Sequence, residues 1–176
     1  MRNACPAPRR MHEYPLGKEE SSGLAGFPLA DVMLDDDGAV ARVVVVSASR
    51  NEAETVFNVL RKAGLGVRPT HVEDIGHDRE ALLTQEWDLI IQIQSSGSEI
   101  EPRALMELGE TGTDAPALVL VDEFTESIAS RLLAAGVRRV IEREQWDLLI
   151  SAVRTELGAL RDRRAARRVE RLYGDR

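Results

Sequence analysis

The segment from Ala41 to Arg50 reads ARVVVVSASR, and it decides the fold. Its four consecutive valines, Val43 to Val46, place apolar side chains on both faces of an extended strand, so this strand must be covered on both sides. Such a strand is typical of the centre of a parallel sheet that carries helices on both faces. The functional crevice of an open α/β sheet lies at the carboxyl ends of its strands, so the residues after Val46 are predicted to line it.

The following segments repeat this alternation of strand and helix. Pro69 cannot donate a hydrogen bond to a neighbouring strand, which predicts that the second strand lies at an edge of the sheet. Five strands that alternate with helices predict a flavodoxin-like, doubly wound α/β fold, with a parallel sheet in the order 2-1-3-4-5 and a long C-terminal helix. After the valine strand, the predicted strands cover residues 66–73, 88–93, 116–121 and 139–142, and the predicted helices cover 51–64, 78–85, 102–110, 125–135 and 144–160.

Local signals predict where several helices begin and end. Asn51 and Thr125 are side chains that cap helix N-termini well, and each precedes a helical pattern. Gly64 and Gly136 follow two of the helical patterns, where a residue of positive φ commonly ends a helix. Pro102 suits the first turn of the helix over 102–110.

Composition divides the chain of 176 residues into three parts. Residues 1–40 hold most of the prolines and show no periodicity, which predicts a flexible N-terminal tail. Residues 41–160 are predicted to form one α/β domain, and residues 161–176 an arginine-rich helical connector toward a following domain. The formal net charge is −7, but residues 151–176 carry +4, which leaves −11 for the remainder.

The composition argues against several classes of protein. The overall negative charge and the lack of aromatic residues between Arg161 and Arg171 argue against nucleic-acid binding. The sequence holds no apolar run of the roughly 20 residues that a membrane span needs, and a single cysteine, Cys5, cannot form an internal disulfide. His71 and His77 do not have the spacing of a metal site. We therefore expect a cytoplasmic protein without a cofactor.

Four segments carry a family resemblance: VVVVSASRNEAE, WDLII, PALVLV and AAGVRRVIERE. Together they resemble the receiver domain of two-component response regulators, over Arg42 to about Leu160. More narrowly, RNEAETVFNVLRKAG, QEWDLII and RDRRAARR resemble the N-terminal receiver-like domain of FimX-type cyclic-di-GMP signalling proteins. That resemblance implies a role in type IV pilus twitching motility, with a location at the cell pole.

The resemblance also identifies the positions where receiver chemistry would lie. Receivers hold a magnesium ion with an acidic pair after the first strand, and Ser47 and Ala48 stand there in this sequence. The phosphoacceptor aspartate corresponds to Ile93, which has no oxygen to accept a phosphoryl group. The hydroxyl residue and the lysine that sense phosphorylation correspond to Val121 and Arg143. Magnesium prefers hard oxygen ligands, so the resemblance implies a degenerate, non-phosphorylatable receiver without a metal site.

The last helix and the elements before it suggest a dimer interface. Apolar residues of this helix are spaced by three or four residues, as in a stripe that packs against a sheet or a partner helix. Receivers commonly pair through their fourth helix, fifth strand and fifth helix, and the corresponding segments here mix both charges, as a two-fold interface requires. The interface candidates are Arg131, Arg139, Glu142, Val153, Leu157 and Leu160.

These observations predict a non-enzymatic pseudo-receiver that acts through protein contacts. We expect a homodimer and protein partners in a signalling or pilus-control complex. Two alternatives remain open. The first is a response regulator that accepts a phosphoryl group at an atypical site, although Ile93 argues against it. The second is an RNA-binding, antiterminator-type regulator whose arginine-rich helix contacts phosphates.

Overall fold

The computed structural model of the protein describes residues 40–94, residue Leu105 and residues 113–173. The predicted tail up to residue 39 and almost all of the predicted helix over 102–110 therefore lie outside the described residues. The described helices and strands are β1 (Ala41–Val46), α1 (Arg50–Lys62), β2 (Val67–Val72), α2 (Arg79–Leu83), β3 (Leu89–Ile93), β4 (Ala117–Val121), α3 (Glu126–Ala134), β5 (Arg139–Glu142) and α4 (Trp146–Tyr173).

The strands form one parallel five-stranded sheet in the order β2-β1-β3-β4-β5. This is the predicted order, and the flavodoxin-like fold with a long C-terminal helix is confirmed. Val43 pairs with Pro69 on one side and with Leu89 on the other, so the valine strand lies inside the sheet. Pro69 lies in the edge strand β2, where the missing N–H costs no ladder hydrogen bond.

Both faces of β1 are buried, as its four valines require. Val43 and Val45 pack into an apolar cluster with side chains of α1 and α4, such as Phe57 and Leu149. Val44 and Val46 pack into a second cluster on the opposite face, which includes Trp87 of the loop before β3. A fully buried valine contributes about 1.5 to 3 kcal/mol to the free energy of unfolding. A charged residue at any of these four positions would therefore prevent the neighbouring elements from packing against that face of the sheet.

The predicted helix ends are partly confirmed. Thr125 Oγ1 accepts a hydrogen bond of 3.3 Å from the backbone N–H of Ile128, as an N-cap does, and Gly64 and Gly136 both have positive φ at helix ends. The prediction of Asn51 as the cap of the first helix is wrong. Helix α1 already begins at Arg50, and Ser49 holds the extended conformation of the N-cap residue.

The predictions for two other helices also need correction. Helix α2 spans only Arg79–Leu83, so it is shorter than the predicted 78–85. Helix α4 begins at Trp146 and not at Glu144, because Glu144 has a φ of 66°, which a right-handed helix cannot contain. It continues without a break to Tyr173, so its 28 residues extend about 42 Å. None of the described helices is long and apolar enough to cross a membrane.

The apolar stripe of α4 faces the sheet. Val153, Leu157 and Leu160 are only 0%, 7% and 2% exposed, and Val153 and Leu157 belong to the cluster that contains α1. The prediction that these three residues form dimer contacts therefore needs correction. Their spacing identified the apolar face of the helix, but the sheet of the same domain covers that face. These residues could reach a partner only if the core opened.

Candidate functional site

A polar crevice lies at the carboxyl edge of the sheet, where four strands end side by side. Ser47 follows β1, Gln94 follows β3, Asp122 follows β4 and Arg143 follows β5. Parallel strands bring their carboxyl ends to one edge, so residues far apart in sequence meet there. The predicted position of the crevice, after the valine strand, agrees with this arrangement.

Arg143 spans the crevice with its guanidinium group. Its Nη1 donates a hydrogen bond of 2.6 Å to Glu52 Oε1 at the start of α1, and its Nη2 donates to the backbone oxygen of Gln94. Its Nε lies 2.7 Å from Asp122 Oδ1, as an ion pair whose N–H does not point at the carboxylate oxygen. The side chain of Arg143, which follows β5, thus contacts the residues after β4 and β3 and a residue of α1.

Glu52 is the acidic side chain that completes the crevice. The hydroxyl of Ser47 donates a hydrogen bond of 2.8 Å to Glu52 Oε2, and the same Oγ accepts one of 3.1 Å from the backbone N–H of Ser49. Partial burial raises the pKa of Glu52, but the bonds from Ser47 and Arg143 outweigh burial, so the net pKa lies below its usual value. Glu52 is therefore ionised at neutral pH.

Glu52 was not identified from the sequence as part of the crevice. The available signal was its position. A carboxylate in the first turn of a helix that follows a central strand lies beside that strand's carboxyl end. Its partner Ser47 is 2% exposed and must pair its hydroxyl inside the protein, and Glu52 supplies the acceptor.

The other positions named from the resemblance provide no further carboxylate in the crevice. Ile93 is 6% exposed and belongs to an apolar cluster, and Val121 is fully buried in the other cluster. Ala48 lies exposed next to Ser47. Asp122, which directly follows Val121, is partly exposed and pairs with Arg143.

This donor set does not fit a magnesium ion. A divalent cation needs several hard oxygen ligands in a nearly octahedral shell, and the guanidinium of Arg143 already lies between Glu52 and Asp122. Within residues 40–94 and 113–173, no three acidic, histidine or cysteine side chains are grouped as metal ligands. The guanidinium of Arg143 thus supplies the positive charge that the two carboxylates of the crevice contact.

A second polar cluster lies at the opposite, amino edge of the sheet. Asp88, just before β3, accepts a hydrogen bond of 2.7 Å from the backbone N–H of Arg42 and also binds Arg164 of helix α4. Arg164 further donates to Asp114 Oδ1 at 2.9 Å and to the backbone oxygen of Trp87 at 3.0 Å, while Arg167 donates to Asp114 at 3.1 Å. We refer to Asp88, Asp114, Arg164 and Arg167 as the amino-edge cluster.

The charges of the amino-edge cluster stabilise one another. The hydrogen bond from Arg164 lowers the pKa of Asp114, and the positive charges of Arg164 and Arg167 lower this pKa further. Partial burial raises the pKa, but the net shift is downward. Asp114 in turn raises the pKa of Arg164. Asp114 and Arg164 are therefore both charged at neutral pH. The cluster holds the first turns of the arginine-rich segment against the domain.

The charged interface candidates have their own intramolecular contacts or lie open to solvent. Arg131 is exposed on α3. Arg139 Nε lies 3.5 Å from Glu156 Oε1, and Glu142 accepts a hydrogen bond of 3.3 Å from Gln145. The three charged candidates lie on α3 and β5, where the interface is predicted. The apolar candidates of the same prediction are buried.

Comparison with solved structures shows the fold of response-regulator receiver domains. A response regulator from Thermotoga maritima is 21% identical, with a TM-score of 0.60, over 68% of this chain and 99% of that chain. The signal receiver domain of an HD domain-containing protein from Pseudomonas fluorescens is 15% identical, with a TM-score of 0.61, over 72% and 93%. A protein from Burkholderia pseudomallei described as pilus assembly-related is 16% identical, with a TM-score of 0.58, over 68% and 90%.

No protein-family model and no curated protein sequence matches the chain. The likeness is therefore one of fold, at identities too low to transfer an activity.

Proposed function

We propose that the protein is a non-phosphorylatable pseudo-receiver, which acts as a regulatory protein-interaction and dimerisation module. The receiver fold supports a signalling role. The observation that carries the proposal is the contact of Arg143 with both Glu52 and Asp122. A guanidinium held by two carboxylates repels a divalent cation from the crevice, and Ile93 offers no nucleophile to a phosphoryl donor.

The larger setting follows from the resemblance to FimX-type proteins. We place the domain in a cyclic-di-GMP signalling protein that controls type IV pilus twitching, in the cytoplasm and at the cell pole. The fold that it shares with the Burkholderia protein described as pilus assembly-related is consistent with this setting. We expect the domain to contribute contacts to the complex and to carry out no reaction of its own.

The test is phosphorylation of the purified chain by acetyl phosphate with magnesium. We expect the intact mass to remain unchanged, because the crevice lacks both a nucleophilic carboxylate at residue 93 and a magnesium site. A receiver with a complete acidic site, treated in parallel, shows that the reagents are active. A mass gain of one phosphoryl group that hydroxylamine removes would demonstrate an acyl phosphate and favour the alternative of an atypical phosphoacceptor.

The RNA-binding alternative is less consistent with the contacts of helix α4. Arg164 and Arg167, two of its arginines, are paired with Asp88 and Asp114 and are not free to contact phosphates. A steep decrease of RNA affinity with salt concentration would nevertheless favour that function over an interaction module.

A further inference from the structure

A groove of about 860 Å³ lies between helix α2 and the C-terminal turns of α4. Its apolar floor includes Leu82, Trp87 and Ile90, and its wall is a face of α4. Arginines at positions 164, 167, 168 and 171 share that face, because residues spaced by three and four lie on one side of a helix. The groove therefore combines an apolar floor with a strongly basic wall.

Only part of this basic wall is neutralised by the domain itself. Arg164 and Arg167 bind Asp114, whose two oxygens both accept hydrogen bonds from these two arginines. Among the described residues, no carboxylate pairs with Arg168 or Arg171. Glu86 also lines the groove, but it pairs with Arg42, so within the described part of the chain these two guanidinium groups have no carboxylate partner.

The groove also exposes apolar surface next to these charges. Leu83, at the end of the short helix α2, is 43% exposed and lines the groove. Trp87 is buried, and its indole N–H donates to the backbone oxygen of Leu82, so the described residues that line the groove present no aromatic ring for base stacking. This favours a peptide with apolar anchors over a nucleic acid.

We propose that the groove binds an acidic, amphipathic segment of a partner protein. Arg168 and Arg171 are three positions apart, so their Cβ atoms are about 5 to 6 Å apart and match two carboxylates one turn apart on a helix. Arginine can bind each carboxylate with two parallel hydrogen bonds. An apolar side chain on the same face of the segment would cover Leu83 and the floor beside it.

The proposal rests on the role of the domain as an interaction module, but it does not require that the crevice be unable to accept a phosphoryl group. The groove adjoins the amino-edge cluster, whereas the crevice lies at the carboxyl edge of the sheet. Phosphorylation of the chain would contradict the proposed function and leave the groove untouched. Failure of the binding test below would contradict only the groove.

The probe is a fluorescein-labelled peptide of leucine and glutamate at helical spacing, and the full chain is titrated into it while the fluorescence anisotropy is measured. The control peptide has every glutamate replaced by glutamine. We expect the acidic peptide to bind at least about tenfold more tightly than the control peptide, with an affinity that falls as salt rises.

Two variants locate the contact. Arg168→Glu with Arg171→Glu should weaken binding by at least about tenfold, because each change replaces an attraction by a repulsion. The matched control is Arg68→Glu with Arg138→Glu, which changes the net charge equally at exposed residues outside the groove and should leave affinity within about twofold. Leu83→Ser tests the apolar contact and should weaken binding several-fold.

Three results would overturn the proposal. The first is an absence of binding up to about 1 mM protein. The second is equal affinity of the wild-type chain and the Arg168→Glu/Arg171→Glu variant, which would place the contact elsewhere. The third is preferential binding of a uridine-rich RNA oligonucleotide over the acidic peptide, which would identify a nucleic-acid surface. Urea denaturation of each variant checks that the fold is retained.

Discussion

Arg143 places a delocalised positive charge at the carboxyl edge of the sheet, in contact with both Glu52 and Asp122. A guanidinium group carries five N–H donors in a planar arrangement, so a single side chain can contact Glu52, Asp122 and the backbone of Gln94 at once. Arg143 therefore connects the residues that follow β3 and β4 with the first turn of α1.

Replacement of Arg143 by methionine should lower the free energy of unfolding by about 1 to 3 kcal/mol, because Glu52 loses its charged partner. Arg143→Lys should cost less, since the charge remains, but a compact ammonium cannot contact all the partner oxygens. Urea denaturation followed by tryptophan fluorescence measures both effects.

A double-mutant cycle separates the Arg143–Glu52 contact from other consequences of these changes. Glu52→Gln keeps the size of the side chain and its hydrogen bond with Ser47 but removes the charge. We expect the two changes together to cost less than the sum of the single costs, because the second change removes a contact that is already lost. Additive costs within about 0.3 kcal/mol would show that the ion pair does not stabilise the fold.

The residues of the crevice differ in how far sequence could predict them. Ser47 and Arg143 could be placed at the carboxyl edge because they directly follow predicted strands. Glu52 could be placed there from its position in the first turn of α1, but its partner could not be predicted, because Arg143 follows β5 and lies far away in sequence. Pattern and spacing identify which edge a residue lies on, but they do not identify its partner.

At the level of elements, helix α4 joins the two edges of the sheet. Arg143, just before it, is bound in the crevice, and Arg164 within it is bound in the amino-edge cluster. The helix is thus fixed at two points far apart along its length. Its remaining turns extend beyond the cluster as a continuation of the same rigid helix.

Asp114→Asn should loosen the arginine-rich turns of α4 and lower the free energy of unfolding at neutral pH by about 1 to 3 kcal/mol. The folded-state pKa of Asp114 is lowered, so its contribution is complete above the ordinary carboxyl value of about 3.9 and is lost as pH falls through the lower folded-state value. The stability difference between wild type and variant should therefore decrease below about pH 4.

Urea denaturation over a pH series measures that difference, and limited trypsin digestion reports on the helix itself. The control is Glu86→Gln, which removes only an exposed partner of Arg42 and should have little effect. If Asp114→Asn changes neither stability nor cleavage after the α4 arginines, Asp114 does not fix this end of the helix.

The strand order, the existence of each described element and the helical character of the segment after Leu160 were predictable, whereas the attachment of that segment to the domain was not. A continuous apolar run such as Val43–Val46 predicts a buried strand. Pro69 predicts that its own strand lies at the edge of the sheet. In contrast, the segment after Leu160 is dominated by arginine and resembles a free connector in sequence. Its attachment depends on Asp88 and Asp114, two acids in loops whose positions only the tertiary structure brings together.

At the level of the whole molecule, the burial of Leu157 and Leu160 changes how a dimer could form. The proposed surface on α3, β5 and the start of α4 must now supply its apolar contact from residues exposed in the monomer. Leu148, in the first turn of α4, is 56% exposed and directly precedes the buried Leu149. Among the described residues, Leu148 on α4 and Leu133 on α3, which is 51% exposed, are large apolar residues that a contact at this surface could cover.

We expect the chain to self-associate through this surface, with Arg131, Arg139 and Glu142 forming ion pairs across a two-fold axis. Exposed ion pairs contribute only about 0 to 1 kcal/mol each, so Leu148 must supply much of the stability. Leu148→Glu should therefore weaken association more than Arg131→Glu does, and Arg68→Glu, on the far edge strand, should leave it unchanged. Sedimentation velocity over a wide concentration range measures the equilibrium. A species of 19.5 kDa at every concentration, or a dimer that tolerates Leu148→Glu, would show that this surface does not mediate association.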